Sequence, residues 1–512
     1  MALTMTSPQL LERLGDEMDR RAPDYALWAE YYEGRHQPPV ALLAASTGYR
    51  SEYARWLSGF SDNFCRLVVQ AVDERLRVTG FRVDGKAGDR KAWAMWQANQ
   101  LDAQHLRAQR EALVKSWCPV VVDAGPDGAP RIRPHEADQF AIAWDDDDYL
   151  ERAAAMRRWV TPDGRKLANL YLPDRIEKYE LAEGNRWRAR SVADEPWPLP
   201  HALGVVPVVP LVNDPDLYNR GQSEIGAMLP MQNALNLLMS DMLVSAEYTA
   251  FPQRWVTGLE IPVDPDTGKP VQPFKLAYDR MLMARDPAVR FGQLDAADLQ
   301  PYIRAVEACV QHIASTTRTP PHYLLGQSGA FPSGESLKAT ETGLVAKVKR
   351  RQGDFGESWE EAVSLAFRAA GDSKRADIED KETKWADPEV RSEAEHVDAL
   401  LKLKALGMPL EYLWEQYGVS PQLIAAWKDA AAAAEAAGGS PVDPSMPGDP
   451  EAMAQMRAST APVAVDGQPV APTAAPSAAA LKSPATPMPM PPTPAPMPPP
   501  PAARARARAS GT

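Results

Sequence analysis

Cysteine is nearly absent: Cys65, Cys118 and Cys309 are the only three in 512 residues. An odd number of widely spaced thiols builds neither a disulfide framework nor a Cys-rich zinc site, so a reducing compartment is expected. Long apolar runs are missing too. The most apolar stretch, residues 202–212, is interrupted by Pro207 and Pro210 and falls far short of the roughly 18 residues of a membrane helix, so no membrane partner is expected. The first residues turn charged early and carry no apolar core of an export signal, which leads to the expectation of a soluble chain. Positive charge is in deficit, with 56 Lys+Arg against 68 Asp+Glu and a net charge of −12. That excludes wrapping nucleic acid in a basic surface and leaves local contact open.

Catalytic signatures are lacking as well. The one Gly-rich loop, residues 326–334, has no Gly-Lys-Ser/Thr to cradle a phosphate. In His135-Glu136-Ala137-Asp138-Gln139 the second histidine of a zinc-protease helix is replaced by Gln139. Gly326-Gln327-Ser328-Gly329-Ala330 displaces the second glycine of a nucleophile elbow by one position. No catalytic residue, metal or cofactor is therefore expected. The single carboxylate run, Asp145 to Asp148, reads as a solvated turn, since consecutive residues do not converge on one cation. A magnesium-dependent nuclease built on those aspartates is the enzymatic alternative.

Proline is abundant, at 49 residues, and much of it lies after Gly438, where Phe, Trp and Tyr disappear and the chain ends PMPPPPAARARARASGT. Residues 438–512 are expected to be a disordered tail, because such a composition cannot bury enough apolar area to offset the entropy of ordering. Arg504, Arg506 and Arg508 at its end read as solubilising charge, with contact to an acidic partner or nucleic acid as the alternative. Before it, the length allows two to four structural units. Helices are predicted over 8–21, 24–33, 62–77 and 90–100, the third from Phe64, Leu67, Val68, Ala71 and Val72 at helical spacing. Strands follow at 120–123, 132–133, 140–144, 153–160 and 167–172. The prolines of Gly204 to Leu211 confine that stretch to a sheet edge or an extended loop.

Helices return at 230–248 and 296–317, flanking a Pro/Gly-punctuated excursion over 251–293. A loop at 318–333 precedes a proline-free stretch from Glu335 to Ala370, which as one helix would be roughly 54 Å long. More helices are predicted over 388–437. The fold class is α+β, mainly helical. On the long helix Lys347, Arg350 and Arg351 fall at i, i+3 and i+4, with Lys338 and Lys349 near. Two readings are open: a solvated face paired with Glu357, Glu360 and Glu361, or a basic stripe facing DNA or a neighbouring subunit.

Several ordered phrases resemble the portal proteins of long-tailed bacteriophages. They are Tyr31-Tyr32-Glu33-Gly34, the stretch Asn63 to Phe81 ending in Glu74 to Phe81, Gly221 to Glu224, Met231 to Asn236, Pro252 to Trp255, and Ser333 to Lys338. The resemblance covers roughly residues 20 to 430. It implies a ring, expected to hold twelve subunits, at one capsid vertex. Double-stranded DNA would be driven inward by a separate terminase and released later, and the portal itself would hydrolyse nothing. Terminase, capsid or scaffolding proteins and head-completion proteins are the implied partners, with assembly in the host cytoplasm and residence in the virion. By position, 1–220 corresponds to the wing, 221–250 and 294–317 to stem helices and 251–293 to the clip. Residues 318–333 correspond to a tunnel loop carrying Gly326, Gln327, Ser328, Gly329 and Ala330, 334–371 to a long wing helix and 388–437 to the crown. Another phage head or neck protein is the nearest structural alternative.

Overall fold

The computed structural model describes residues 5–36, 61–84, 88–125, 127–145, 147–184, 186–193, 195–250, 254–258, 268, 287–293, 298–325, 334–389, 393–419 and 421–436. About half of these are helical and the rest include antiparallel sheets, so the α+β expectation holds. The tail lies outside the described residues.

Helix α1 (Ser7–Glu33) begins at a reciprocal Thr6/Gln9 capping box and ends on Gly34, whose φ of 72° is the left-handed conformation glycine takes without strain. It runs unbroken through Pro23, where the sequence predicts two helices. A proline inside a helix costs about 3 kcal/mol. Burial on both sides of it offsets that cost: Leu10, Leu11, Leu14 and Met18 pack on one sheet, Tyr25 and Tyr31 in two further clusters. Helices α2 (Phe64–Asp73), α3 (Arg90–Ala98) and α4 (Leu101–Lys115) follow. The sequence does not announce α4, because only Leu101, Leu113 and Val114 of its buried residues are large and apolar, and His105, Ala108, Gln109 and Ala112 make up the rest.

Strands β2 (Trp117–Ala124), β3 (Pro130–Pro134) and β10 (Val208–Val212) form an antiparallel sheet in the order β10-β2-β3, with β10 at the predicted edge. Pro119 and Pro210 stand opposite each other in it. Val122 N–H donates to the Pro207 carbonyl, so bonded pairs alternate and neither proline sits where the β2–β10 ladder needs a donor. The Pro210 carbonyl, turned outward, accepts from Ser358 Oγ.

Helix α1 covers one face of a larger antiparallel sheet. Its strands are β4 (Phe140–Trp144), β5 (Arg152–Val160), β6 (Lys166–Tyr171), β7 (Arg175–Ala182) and β8 (Arg186–Ala189), with β9 (Leu199–Pro200) also on β7. The opposite face packs Phe140, Ala155, Tyr171 and Ile176 against Trp117, Val121 and Val208 of the smaller sheet. The smaller sheet is thus buried on both sides, which explains its near-continuous apolar sequence. β7 and β8 lie beyond the strands predicted.

Helices α5 (Leu229–Ala250), α6 (Gln300–Thr317), α7 (Pro321–Leu324) and α8 (Gly334–Ala369) supply the second half. The main core forms where α8 buries Leu344, Val348, Phe355, Trp359 and Val363 against α2, α3 and β2. Trp96 sits at its centre, its ring 5.2 Å from Phe81 and 5.1 Å from Trp359. Strand β1 (Val78–Val83) pairs with β13 (Lys381–Trp385), a long-range ladder no local signal predicts. Of 251–293, the described part is one hairpin, β11 (Arg254–Thr257) with β12 (Arg290–Gln293). Three helices close the described chain: Glu393–Ala405, Leu410–Tyr417 and Pro421–Ala436.

Candidate functional site: a paired helix arm and its two anchors

Helix α5 carries only Asp241 and Glu247 as charged residues in 22 positions, so it is built to meet protein on most of its surface. It packs against α6 in the opposite direction: Ser245 near the end of α5 meets Tyr302 near the start of α6, Oγ to OH at 3.5 Å. The β11–β12 hairpin lies between these two helices in the chain. Trp255 lies across Gly292, and a Cβ there would meet the indole and displace the ring.

Neutral amides anchor the base of α5. Gln232 accepts from the Phe64 N–H at 3.0 Å and donates to the Asp62 carbonyl at 2.8 Å. Asn236 accepts from the Asp62 N–H at 3.0 Å, and its Nδ2 lies 3.0 Å from His36 Nε2. Asn233 takes the Tyr31 hydroxyl at 2.6 Å, and Tyr31 stacks on His36 with centroids 4.1 Å apart. Burial pushes the His36 imidazole below its ordinary value, favouring the neutral ring.

Charge anchors α8. Glu224, in the segment leading to α5, has a side chain only 5% exposed. Its Oε2 lies 2.5 Å from Lys347 Nζ, and its Oε1 accepts from Arg351 Nε and Nη2, both at 3.0 Å. Lys347 also donates to the Thr317 carbonyl at the end of α6, at 2.9 Å. Arg351 reaches Asp214 at 3.0 Å. Burial alone would push the Glu224 carboxyl up; Lys347 and Arg351 outweigh it and hold the group below its ordinary range. One carboxylate therefore joins the base of the α5–α6 arm to the middle of α8. Gly221 lets this segment pass: a side chain there would strike the Ser116 carbonyl.

These contacts divide the predicted basic stripe. Lys347 and Arg351 point inward to Glu224 and Asp214, not to the Glu357, Glu360 and Glu361 that sequence spacing offers. Lys338 and Arg350 are exposed, Arg350 lying 3.2 Å from Asp214. Gly326, Gln327, Ser328, Gly329 and Ala330 lie outside the described residues. The chain on either side of them is fastened: Tyr323 donates to Glu341 at 2.9 Å, and Arg75 reaches Tyr323 at 2.6 Å and Glu341 at 3.4 Å. Burial and Glu341 push the Tyr323 phenol up to about 12.

Among the described residues no group of His, Cys, Asp and Glu could hold a metal ion, and no helix is long and apolar enough to cross a membrane. Asp145 accepts from the Asp147 and Asp148 N–H groups, folding its run into a turn. His135 stands outside any α-helix, with burial pushing its imidazole down to about 4.

This arrangement accompanies a match of residues 11–436 to the family described as "Phage portal protein, SPP1 Gp6-like". The chain is 32% identical over 396 residues to the portal protein of Mycobacterium phage D29, covering 74% of this chain and 78% of that one. It is also 32% identical over 416 residues to that of Mycobacterium phage L5, covering 77% and 82%. Solved structures include a chain of the virion of a native gene transfer agent particle, at 12% identity and a TM-score of 0.41, covering 69% of this chain and 88% of that chain. Another is from the neck of the empty particle, at 11% identity and 0.42, covering 74% and 92%. By its family match and its curated relatives, this chain belongs to the phage portal protein family.

Proposed function

We propose that this chain forms a ring, of twelve subunits by family expectation, at one vertex of a bacteriophage capsid. The ring is the channel through which a separate terminase packages double-stranded DNA and through which the DNA later leaves. The observation that carries this reading is the family match across residues 11–436, nearly the whole non-tail chain. The protein acts structurally, assembles in the host cytoplasm and meets capsid, scaffolding and head-completion proteins. On this reading α5 and α6 are the stem, the β11–β12 hairpin belongs to the clip, α8 is the long wing helix, and the last three helices are the crown.

The electrostatics support it. A channel that lets DNA slide must not grip phosphates, since each neutralised phosphate adds strong salt-dependent affinity. The net charge of −12 and the inward turn of Lys347 and Arg351 keep positive charge scarce at this joint. Segment 326–333, which is uncharged and follows the Tyr323–Glu341 bond in the chain, is the part proposed to touch DNA, through Gln327, Ser328 and Gly329.

Light scattering and negative-stain micrographs of the purified chain are expected to show rings with an axial hole that admits a duplex about 20 Å wide. DNA-filled, infectious particles from phage lacking this chain would overturn the reading. Deleting residues 327–329 is expected to leave rings intact while heads fail to fill or to retain DNA. Normally filled heads would remove the loop from the mechanism.

A further inference from the structure

A groove of about 930 Å³ lies away from the paired helix arm, between α1, strand β4 and the 213–221 loop. Its floor is apolar, formed by Trp117, Ile142, Trp144 and Val212. Its lip is aromatic. Tyr149 and Tyr218 meet edge to face with centroids 5.9 Å apart, joining the 145–151 turn to the 213–221 loop. Beside them Leu150 is 63% exposed and Leu217 84%. Four large apolar side chains on two loop tips are a substantial exposed patch for a soluble surface.

Both tips are held rigid by their own aspartates. Asp216 accepts from the N–H groups of Tyr218 and Arg220 at 2.9 Å each, and Asp148 accepts from the Leu150 N–H at 2.9 Å. Rigid tyrosines on fixed loops lose little entropy on binding, the property of interface anchors.

The rim is acidic. Glu12 and Asp16 line the α1 wall, and Asp145, Asp147 and Asp148 stand on the turn. Of the cations lining the groove, Arg20 and Arg21 pair with Glu17, Arg220 pairs with Asp216, and Arg13 reaches the Met5 sulfur at 3.5 Å; the acidic excess rests on Glu12 and Asp16 together with the three aspartates of the turn. Such a rim repels a phosphate backbone. It attracts an apolar segment flanked by Lys and Arg.

The geometry points to a docking groove for a basic amphipathic segment of a partner protein, with its apolar side chains on Trp144, Tyr149 and Tyr218 and its cations on the acidic rim. Charge complementarity chooses this occupant over nucleic acid and over an acidic peptide. The inference stands independently of the channel reading.

The test uses the full chain and a fluorescein-labelled Leu/Lys amphipathic peptide of about 18 residues, five helical turns, read by anisotropy. A Leu/Glu peptide of the same pattern is the control. The Leu/Lys peptide is expected to bind, to weaken at least tenfold in the double variant Leu217→Ser, Tyr218→Ser, and to weaken severalfold in Asp147→Lys, Asp148→Lys. These side chains are exposed, and an unchanged melting temperature verifies folding. Equal binding by either variant, or by the Leu/Glu peptide, overturns the proposal. Loss of rings in the Leu217/Tyr218 variant would also overturn it, by assigning the patch to a second copy of this chain. Rings without peptide binding refute this inference alone; peptide binding without rings refutes the channel reading alone.

Discussion

Helix α5 is anchored through neutral amides, with Gln232, Asn233 and Asn236 bonded to backbone and hydroxyl groups, whereas α8 is anchored through a buried carboxylate between Lys347 and Arg351. Both anchors are enclosed, and both join segments distant in sequence. They differ in what happens when one member is lost. An amide leaves behind polar groups that water can partly reach by local opening; a carboxylate leaves two cations in a site with no other full partner for Lys347. The charged joint is therefore the more rigid and the less forgiving, and it sits where the α5–α6 arm meets the rest of the chain.

The largest expected effect follows. Glu224→Ala should destabilise the protein by about 3–5 kcal/mol, because breaking a buried pair strands the opposite charge. Denaturant midpoints check it, and Glu224→Gln should recover part of the loss through hydrogen bonds to Arg351. Gln232→Ala should cost less, about 1–3 kcal/mol, the penalty of leaving the Phe64 N–H and Asp62 carbonyl unmet. If Gln232→Ala proves the more damaging, the ranking of the two anchors is reversed.

Acid separates them next. The Glu224 carboxyl is held below its ordinary 4.5, so its contribution is complete above that pH and is lost as pH falls through the lower folded value. The His36 imidazole is held below its ordinary 6.5, so the amide anchor is complete above pH 6.5 and weakens as pH falls through the folded value. His105, His135 and His201 are shifted the same way, so the useful quantity is the difference between wild type and His36→Gln. That difference in melting temperature should shrink between pH 7.5 and 5.5 as the wild type loses the advantage of a neutral ring. Glu224 variants should leave the same window untouched.

Much of the architecture is legible in the sequence because it is local. The stripe of α2, the proline-free length of α8 and the edge placement of Val208–Val212 all follow from spacing and proline chemistry. What was not legible depends on distant partners. Pro23 reads as a break until both flanks are seen to be buried, and β1 pairs with a strand some three hundred residues away. Glu224 shows no local sign of its role. One signal was available: Arg351 falls inside the apolar stripe of Leu344, Val348 and Phe355, so it had to face the core, and a core arginine requires a buried acid. Spacing alone placed Lys347 and Arg351 with Arg350 on one face. It could not tell which of the three turned inward.

Arg350 supplies the smallest and most discriminating prediction. It is adjacent to Arg351 and shares Asp214 with it, yet its side chain is 64% exposed where that of Arg351 is 6%. An exposed pair gains little because water already screens both charges, so Arg350→Ala should change stability by less than about 1 kcal/mol. Arg351→Ala should cost several times more, since it leaves Glu224 with Lys347 as its only full cationic partner. Raising salt from 0.1 to about 1 M, which shortens the screening length from about 10 to 3 Å, should erase the Arg350 effect and leave that of Arg351. If the two substitutions weigh alike and respond alike to salt, the inward turn of Arg351 is not what fastens α8. The exposed cations of that helix would then share the fastening role with the buried ones.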